Sequence, residues 1–163
     1  MATKPHQLSD YDLKDIPSAK NMKFGLVVAQ WNQEITDALF KGAVSTLLNC
    51  GCPETHIVRK NVPGSFELPF GAQLFLNSTN VDAVICIGSV IQGETKHFDF
   101  VCQTTADGIK DVSLKYNKPV IFGVLTDNTF EQAKARSGGK LGNKGVEAAI
   151  SAIKMVHLKN SMA

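Results

Sequence analysis

The sequence shows none of the features that mark membrane, secreted or nucleic-acid-binding proteins. No apolar run approaches the roughly 20 residues that a membrane-spanning helix needs. The amino terminus lacks the apolar segment of a signal peptide. The formal net charge of +2 at pH 7 is too small to indicate nucleic acid or an anionic membrane as a partner. We therefore expect a cytoplasmic protein with no nucleic-acid partner and no membrane partner.

Common cofactor and metal-binding motifs are also missing. No GxGxxG fingerprint follows a strand and no GxxxxGK[ST] loop occurs, which disfavours NAD enzymes and nucleotide hydrolases. Cys50 and Cys52 do not have a recognised zinc spacing, and no other Cys or His pair completes a site with them. Cys86 and Cys102 fall within apolar patterns, so we expect both to be small core residues. The sequence predicts no metal and no cofactor.

Apolar runs rich in β-branched residues alternate with helical patterns along most of the chain. The predicted strands are residues 23–29, 56–62, 83–88 and 119–125, and the polar residues of the second place it at a sheet edge. The predicted helices lie between Asn32 and Gly51 and over residues 66–77, 96–115, 129–136 and 143–158. This alternation favours parallel βαβ units and an α/β fold class, as a three-layer α/β/α sandwich with a four-stranded parallel, flavodoxin-like sheet.

The chain is expected to form one domain preceded by a short arm. Its length of 163 residues and apolar content of 44% suit a single core, which we place at residues 22–163. Residues 1–21 are polar, contain two prolines and have no sustained period. We predict an N-terminal arm there, either disordered or lying over a neighbouring subunit.

Residues 82–101 carry the strongest indication of a binding site. An apolar strand is followed by the polar residues 93–95 and then by a helical pattern. His97 and Val101 are four residues apart, so they project from one face of that helix. Open α/β sheets bind small molecules at the carboxyl ends of their strands, and helix N-termini favour anions. The pattern predicts an anion-binding pocket with an imidazole beside it.

Four strand ends meet at this edge of the predicted sheet and supply further candidates. From the strand ends the candidates are Trp31, Asn32, Ser65, Glu67 and His97. The basic residues that flank the glycine-rich connector could also bind an anion, and they are Arg136, Lys140 and Lys144. Each has a purely structural alternative: the indole can belong to the core, the short polar residues can cap or begin helices, and the histidine can be a satisfied structural residue. The basic residues can equally form a solvated loop. No glycosidase-type carboxylate pair and no Ser/His/Asp triad can be assembled from the spacing.

Taken together, five blocks of the sequence resemble the lumazine synthase family. They are Trp31-Asn32, VPGSFELP at 62–69, GSVIQGETKHFDFV at 88–101, PVIFGVLTDNTFEQA at 119–133 and GGKLGNKG at 138–145. The resemblance implies an enzyme, a transferase of riboflavin biosynthesis that acts at the penultimate step. It would condense 5-amino-6-(D-ribitylamino)uracil with 3,4-dihydroxy-2-butanone 4-phosphate, giving 6,7-dimethyl-8-ribityllumazine, phosphate and water.

The resemblance also implies roles for individual residues. His97 would be the acid/base catalyst. The pyrimidine and its ribityl chain would be bound by Trp31, Asn32, Ser65, Phe66, Glu67, Val90, Ile91, Phe122 and Lys144. The phosphate would be bound by Gly93, Glu94, Thr95 and Arg136. Phe122, Arg136 and Lys144 would come from the adjacent subunit, and neither a metal nor a redox cofactor is implied.

Assembly is implied by the resemblance as well. Family members form homopentamers, and some close twelve pentamers into an icosahedral shell of sixty subunits. The short connector at 137–145 resembles the shell-forming type, whereas Pro17 would hinder pairing of arms between pentamers. A riboflavin synthase is implied as a protein partner.

Two positions depart from the commonest forms of the family. Trp31 stands where phenylalanine is frequent, and an indole still offers a stacking face. Gln92 stands where a basic residue is frequent, which would leave Arg136 and Lys144 with more of the phosphate binding. Substrate affinity is the property that these changes put in doubt.

Two other functions stay open from the sequence. One is a flavodoxin-like module that binds a flavin or phosphate without catalysis, although a flavodoxin would carry a Ser/Thr-rich loop where this chain has Gln30, Trp31 and Asn32. The other is a structural shell protein with a vestigial pocket. The intact combination of Trp31, Glu67, His97 and Arg136 argues against the second.

Overall fold

Four parallel strands form the sheet that carries the site. The computed structural model describes residues 9–162. Its main strands are β1 (Phe24–Ala29), β2 (Ile57–Val62), β3 (Ala83–Ile91) and β4 (Val120–Asp127). They lie in the order β2-β1-β3-β4, with every neighbouring pair parallel. β1 is buried along its whole length, and the more polar β2 lies at an edge, as predicted.

Five helices cover the two faces of this sheet. They are α1 (Gln33–Asn49), α2 (Leu68–Ser78), α3 (His97–Tyr116), α4 (Phe130–Arg136) and α5 (Lys144–Ser161). Side chains of α1, α4 and α5 share one core cluster with the sheet, and those of α2 and α3 share a second. The predicted α/β class and flavodoxin-like three-layer sandwich are therefore confirmed. None of the helices within residues 9–162 is long and apolar enough to cross a membrane.

Helix α1 has the predicted apolar stripe but a different start. The stripe residues, four apart along the helix, are all buried: Ile35, Leu39, Ala43 and Leu47. Asn32 occupies the N-cap position with a left-handed backbone, φ 56°, and its side chain makes no cap hydrogen bond. Instead its Nδ2 donates to the Ser89 carbonyl oxygen at 3.0 Å. The expected capping role is wrong, because this side chain ties the β1–α1 loop to β3.

Strand β3 runs three residues further than predicted, to Ile91. Residues 89–91 pair in register with residues 125–127 of β4, which extends the ladder. Gly88, expected to close the strand, is instead a point of close packing. A Cβ at this position would lie 2.6 Å from the Ser65 hydroxyl oxygen, so only glycine allows this approach.

The glycine-rich connector folds into a small hairpin. It consists of β5 (Ser137–Gly139) and β6 (Gly142–Asn143), which pair antiparallel. Asn143 then caps α5, because its Oδ1 accepts a hydrogen bond from the Gly145 N–H at 2.8 Å. The cap fixes the start of α5 one residue after the predicted boundary.

Part of the predicted arm packs on the domain itself. Ala19 is fully buried, and its N–H donates to the Cys50 carbonyl oxygen at 2.8 Å. The Ser9 hydroxyl accepts a hydrogen bond from the Asn143 N–H at 2.8 Å. Residues 1–8 lie outside the described residues. The division into an arm and a domain at residues 21 and 22, and contact of the arm with a neighbouring subunit, stay predictions.

The four cysteines are free thiols. Cys86 is fully buried, as predicted, and burial raises the pKa of its thiol. Cys50 and Cys52 are buried too, and burial raises the pKa of Cys52 to about 11. Cys102 is partly exposed, so its predicted place in the core is wrong. It precedes the buried stripe of α3, which begins at Thr105.

Candidate active site

A cavity of about 330 Å³ lies at the carboxyl ends of β1, β2 and β3. The strand order reverses between β1 and β3, and the adjoining helices leave to opposite faces there. Such switch points form the binding crevices of open α/β sheets. The lining comprises Trp31, Gly64, Ser65, Phe66, Glu67, Ser89, Val90, Ile91, Gly93, Thr95, His97, Phe98 and Val101. Nine of the predicted site residues thus share one cavity.

Aromatic side chains provide an uncovered flat surface at this cavity. Trp31, just after β1, is 72% exposed, and Phe66, just after β2, is 56% exposed. The alternative of a core aromatic is excluded for Trp31 by this exposure. Large exposed aromatic rings beside a crevice are suited to stacking on a planar ligand.

The β2–α2 turn is held in place by two hydrogen bonds. Glu67 Oε2 accepts a bond from the Gly64 N–H at 2.9 Å, which closes the turn on itself. Ser65 is buried, and its carbonyl oxygen accepts a bond from Thr105 Oγ1 at 3.1 Å. The turn is therefore rigidly held between β3 and α3. Glu67 thus stabilises the turn at the start of α2, as its position in the sequence allowed, and it also lines the cavity.

The loop between β3 and α3 forms the polar end of the cavity. Gly93, Glu94 and Thr95 are exposed and lead directly into the 20-residue helix α3. Thr95 Oγ1 accepts a hydrogen bond from the His97 N–H at 3.4 Å, whereas Lys96 at the N-cap supplies no side-chain cap. The first turn therefore keeps N–H groups available, and helix N-termini of this kind attract anions.

His97 is the first residue of α3 and its imidazole is exposed at the cavity. Val101 lies one turn further on and lines the same cavity, as the four-residue spacing predicts. An imidazole next to an anion-binding helix end can exchange protons with a bound substrate. The arrangement can therefore hold a planar ring at one end, an anion at the other, and a proton carrier between them.

Three predicted site residues lie elsewhere on the same protomer. Phe122 is on β4 beside α3, in a separate shallow cavity. Lys144, at the start of α5, forms an ion pair with Glu147. Arg136, at the end of α4, forms an ion pair with Asp127 at 3.1 Å. All three belong to the part of the protomer built by β4, α4 and α5, and none of them lines the cavity.

Sequence reasoning missed four lining residues. Gly64 lines the cavity from the β2–α2 turn and Ser89 lines it from β3. Nothing in the local sequence distinguishes either residue from an ordinary structural one. Phe98 adjoins His97, so the helical pattern already placed it near the pocket. Val101 was placed on the face of His97 but not assigned a binding role. Within residues 9–162 no group of three or more His, Cys, Asp or Glu side chains could hold a metal ion.

Comparison with known proteins agrees with this geometry. The model of the family described as 6,7-dimethyl-8-ribityllumazine synthase matches residues 21–160. A protein of that name from Flavobacterium johnsoniae is 56% identical over 159 residues, covering 98% of this chain and 84% of the relative. Another from Christiangramia forsetii is 55% identical over 160 residues, covering 98% and 95%. A third, from Cytophaga hutchinsonii, is 56% identical over 156 residues, covering 96% and 98%.

The chain belongs to the 6,7-dimethyl-8-ribityllumazine synthase family. The resemblance seen in the sequence is thereby confirmed. The stretch that matches the lumazine synthase family contains every residue predicted for the site, from Trp31 to Lys144.

Proposed function

We propose that this protein condenses 5-amino-6-(D-ribitylamino)uracil with 3,4-dihydroxy-2-butanone 4-phosphate, in a cavity that an adjacent subunit completes. The family and its named members confirm the prediction of an enzyme, a transferase that forms 6,7-dimethyl-8-ribityllumazine in riboflavin biosynthesis. The single observation that carries the site assignment is one cavity lined by an exposed indole, an uncapped helix start and an imidazole.

The pyrimidine half of the cavity is proposed to bind the aminouracil. Trp31 stacks on the heteroaromatic ring, with Phe66 as a second apolar face. Glu67 and Ser65 hold polar groups of the substrate from a turn that is already rigid, which lowers the entropic cost of binding. Asn32, already bonded to the Ser89 carbonyl, keeps its amide oxygen for the ligand. Val90 and Ile91 extend β3 beneath the ring and the ribityl chain.

The phosphate half lies at the start of α3. Backbone groups of Gly93, Glu94 and Thr95 and the first turn of the helix receive the phosphate of the second substrate. Arg136 from the adjacent subunit adds a charge-assisted contact. Gln92 supplies no cation, so the arginine carries more of this binding, together with Lys144 of the same neighbour.

The chemistry follows from holding both substrates between these two ends. The 5-amino group attacks the ketone, and one water leaves to give an imine. Loss of a proton from the neighbouring hydroxyl-bearing carbon expels phosphate from the next carbon, and the enol that results takes up a proton at its terminal carbon to become a second ketone. The ribitylamino nitrogen attacks this new ketone, and loss of a second water closes the ring. His97 moves protons in these steps. Positioning two reactants can account for roughly 7–11 kcal/mol of the barrier, and a positioned acid or base for about 10²–10⁴-fold in rate.

A shared site explains the separate location of three predicted residues. Phe122, Arg136 and Lys144 belong to the β4, α4 and α5 part of the protomer, whereas the cavity lies at β2, β1 and β3. A contact between two different surfaces of one chain is heterologous and closes into a ring when the rotation allows. We propose that this ring is a homopentamer.

The wider assembly and cellular setting form part of the same proposal. The short hairpin of residues 137–143 supports packing of pentamers into an icosahedral shell of sixty subunits. The free thiols of Cys50 and Cys52 suit a reducing compartment, and we place the protein in the cytoplasm. A riboflavin synthase, which consumes the lumazine product, is the proposed protein partner.

The test is the reaction itself. Purified full-length protein is mixed with both substrates, and lumazine fluorescence and phosphate release are followed together. We expect equal amounts of both products, formed only when both substrates are present. Tight binding of a flavin without formation of lumazine would contradict the proposal and favour the non-catalytic module.

Arg136→Ala tests the phosphate assignment. We expect the KM for the phosphate ester to rise roughly 10- to 100-fold, because a charge-assisted hydrogen bond is lost. The KM for the aminouracil should change little. Lys134→Ala, on the same short helix, removes an exposed ion pair with Glu34 and serves as the matched control. An unchanged KM for the phosphate ester in Arg136→Ala would count against the assignment.

A further inference from the structure

Arg136 is held by a carboxylate that no substrate-binding role explains. Asp127, the last residue of β4, is only 4% exposed. Its Oδ1 accepts a hydrogen bond from Arg136 Nη1 at 3.1 Å, and the arginine side chain is 25% exposed. Asp127 Oδ2 and Arg136 Nε are both buried and have no hydrogen-bond partner among the described residues. The pair is thus a single contact, although the two groups could form a bidentate one.

Two consequences follow from this contact. Asp127 sits at the end of a paired strand, where its neighbour Gln92 donates a backbone N–H to its carbonyl oxygen at 3.0 Å. Its carboxylate is therefore a fixed acceptor that orients the guanidinium. It is also a negative charge beside the cation, and at partial burial such a charge is screened less than on the surface. Arg136 therefore attracts a phosphate less strongly than an unpaired arginine would, because Asp127 offsets part of its positive charge.

The surroundings leave the arginine accessible from one side. The pair borders a cavity of about 400 Å³ whose lining also includes Lys140 and Glu131. Lys140 and Glu131 carry opposite formal charges, which sum to zero. Asp127 is the carboxylate in direct contact with Arg136, so it is the charge that most directly offsets the arginine.

We propose that Asp127 is a positioning residue for phosphate binding, which orients Arg136 and weakens its attraction for the phosphate anion. The inference rests on the proposed role of Arg136 as a phosphate ligand. A substrate phosphate and the inorganic phosphate released by the reaction bind the same group. Weaker attraction therefore raises the KM for the ester and eases release of the product. A purely structural ion pair would instead affect stability and leave phosphate affinity unchanged.

The test measures inhibition by inorganic phosphate and the KM of both substrates in assembled, full-length protein. Asp127→Asn keeps an oxygen acceptor for Nη1 and removes the charge. We expect the inhibition constant for phosphate and the KM for the phosphate ester to fall roughly 3- to 10-fold. The reason is that the substitution removes a negative charge near the phosphate anion, whose repulsion solvent screens only in part. The KM for the aminouracil should not move. Unchanged phosphate affinity in Asp127→Asn would overturn the proposal.

Further variants separate orientation from charge. Asp127→Ala removes both the acceptor and the charge, so it should tighten phosphate binding less than Asp127→Asn does. Equal tightening in the two variants would overturn the positioning role. Asp127→Ser removes the same charge but leaves a smaller side chain. It therefore shows whether the effect on phosphate binding comes from the charge or from a change in local packing. It should again tighten phosphate binding, and unchanged affinity there would count against the proposal.

Double variants separate this inference from the proposed function. In an Arg136→Ala background, Asp127→Asn and Asp127→Ala should change phosphate affinity equally, because both remove the same charge and no guanidinium is left to orient. If Arg136→Ala alone does not weaken phosphate binding, the proposed function of Arg136 fails. If Arg136→Ala weakens it but Asp127→Asn has no effect, only the role of Asp127 fails.

Discussion

Position 97 combines two properties that a proton carrier needs. The imidazole is exposed at the cavity, so a substrate can reach it, and it begins α3, so its backbone is fixed by a long helix. The N–H of this residue is held by Thr95 Oγ1. The residue is therefore tied to the loop proposed to bind the phosphate, and a proton carrier at this position would lie next to the leaving group.

His97→Ala is expected to lower kcat by about 10²-fold or more without abolishing turnover. A positioned acid or base contributes about 10²–10⁴-fold, whereas positioning of the two substrates survives the change. Steady-state kinetics with each substrate varied in turn measure the effect. His157→Ala, on the exposed side of α5, is the control and should keep wild-type rates. A wild-type kcat in His97→Ala would remove this residue from the mechanism.

Much of the candidate site could be predicted residue by residue, and the exceptions have clear causes. Trp31 and His97 both follow buried strands. An exposed indole or imidazole at such a position seldom stabilises the fold, so both residues could be recognised as site candidates. Asn32 was expected to cap α1, but the hydrogen bond that its side chain makes joins residues 57 apart in sequence. Asp127 was assigned no role from the sequence, because a carboxylate after a strand is ordinary and its burial beside Arg136 is seen only in the folded chain.

The contact between α1 and α5 fixes the layer behind the site. Gly145, in the first turn of α5, packs directly on α1, and a Cβ there would fall on the Leu39 carbonyl oxygen. A backbone carbonyl in a helix cannot move aside as a flexible side chain can. Asn143 caps α5 and also donates to the Ala38 carbonyl oxygen at 3.0 Å, so the start of α5 is bound to the middle of α1.

Gly145→Ala should therefore destabilise the fold strongly, by about 3 kcal/mol or more, since overpacking against backbone costs at least the upper part of the usual range. Chemical unfolding of the variant and the wild type measures the difference. Gly93→Ala is the matched control, because a Cβ at that glycine meets nothing within 4 Å. Equal losses of stability in both variants would show that the helix contact is not the cause.

An ion pair joins α1 to the edge strand β2. Arg59 Nη2 donates to Asp37 Oδ1 at 2.7 Å, and the guanidinium lies over the Phe40 ring at 4.4 Å. The hydrogen bond from Arg59 holds the pKa of Asp37 below its ordinary value of 3.8. The folded state thus favours the ionised carboxylate. The ion pair therefore stabilises the fold fully at pH values above the pKa of Asp37 in the unfolded chain. This stabilisation is lost as the pH falls through the lower pKa that Asp37 has in the folded chain.

Asp37→Asn should lower the free energy of unfolding at pH 7 by roughly 0.2–1 kcal/mol, because both partners are about one-third exposed and solvent screens the pair. The deficit should stay constant down to about pH 5 and shrink below pH 4, when the wild-type carboxylate becomes protonated. Urea unfolding at several pH values measures it. Asp111→Asn, in an exposed pair with Lys110, should show no deficit. A deficit that persists at low pH would indicate lost packing.

At the scale of elements, the interiors of strands and helices were predictable and their ends were less so. β1 and β3 are buried on both faces, and this produces the continuous apolar runs that the sequence shows. The extension of β3 to Ile91 depends on pairing with β4, and the β5–β6 hairpin depends on contacts across the connector. Neither pairing leaves a local pattern, because the partner strand supplies the hydrogen bonds.

The whole molecule presents apolar surface that a single chain does not cover. Phe66, Phe70 and Leu74 recur every four residues around α2 and are exposed. Phe100 and Leu114 add exposed apolar side chains on α3. Several large apolar side chains exposed on neighbouring elements are typical of an interface. Together with the separate location of Arg136, it supports a ring in which each site belongs to two subunits.

A shared site predicts complementation between two impaired variants. When His97→Ala and Arg136→Ala chains are co-expressed and purified through two different tags, mixed rings form. Half of the cavities then carry His97 and half of the facing surfaces carry Arg136, so about one site in four should have both residues and wild-type kinetics. At ester concentrations well below the wild-type KM, the rate per site should therefore reach about a quarter of the wild-type rate, above that of either parent.

His97→Ala with Trp31→Ala is the control, because both changes lie in the same cavity and no intact cavity can form. Its rate should not exceed those of the parents. If the first pair behaves like this control, Arg136 acts within its own protomer and the proposed ring of shared sites is wrong.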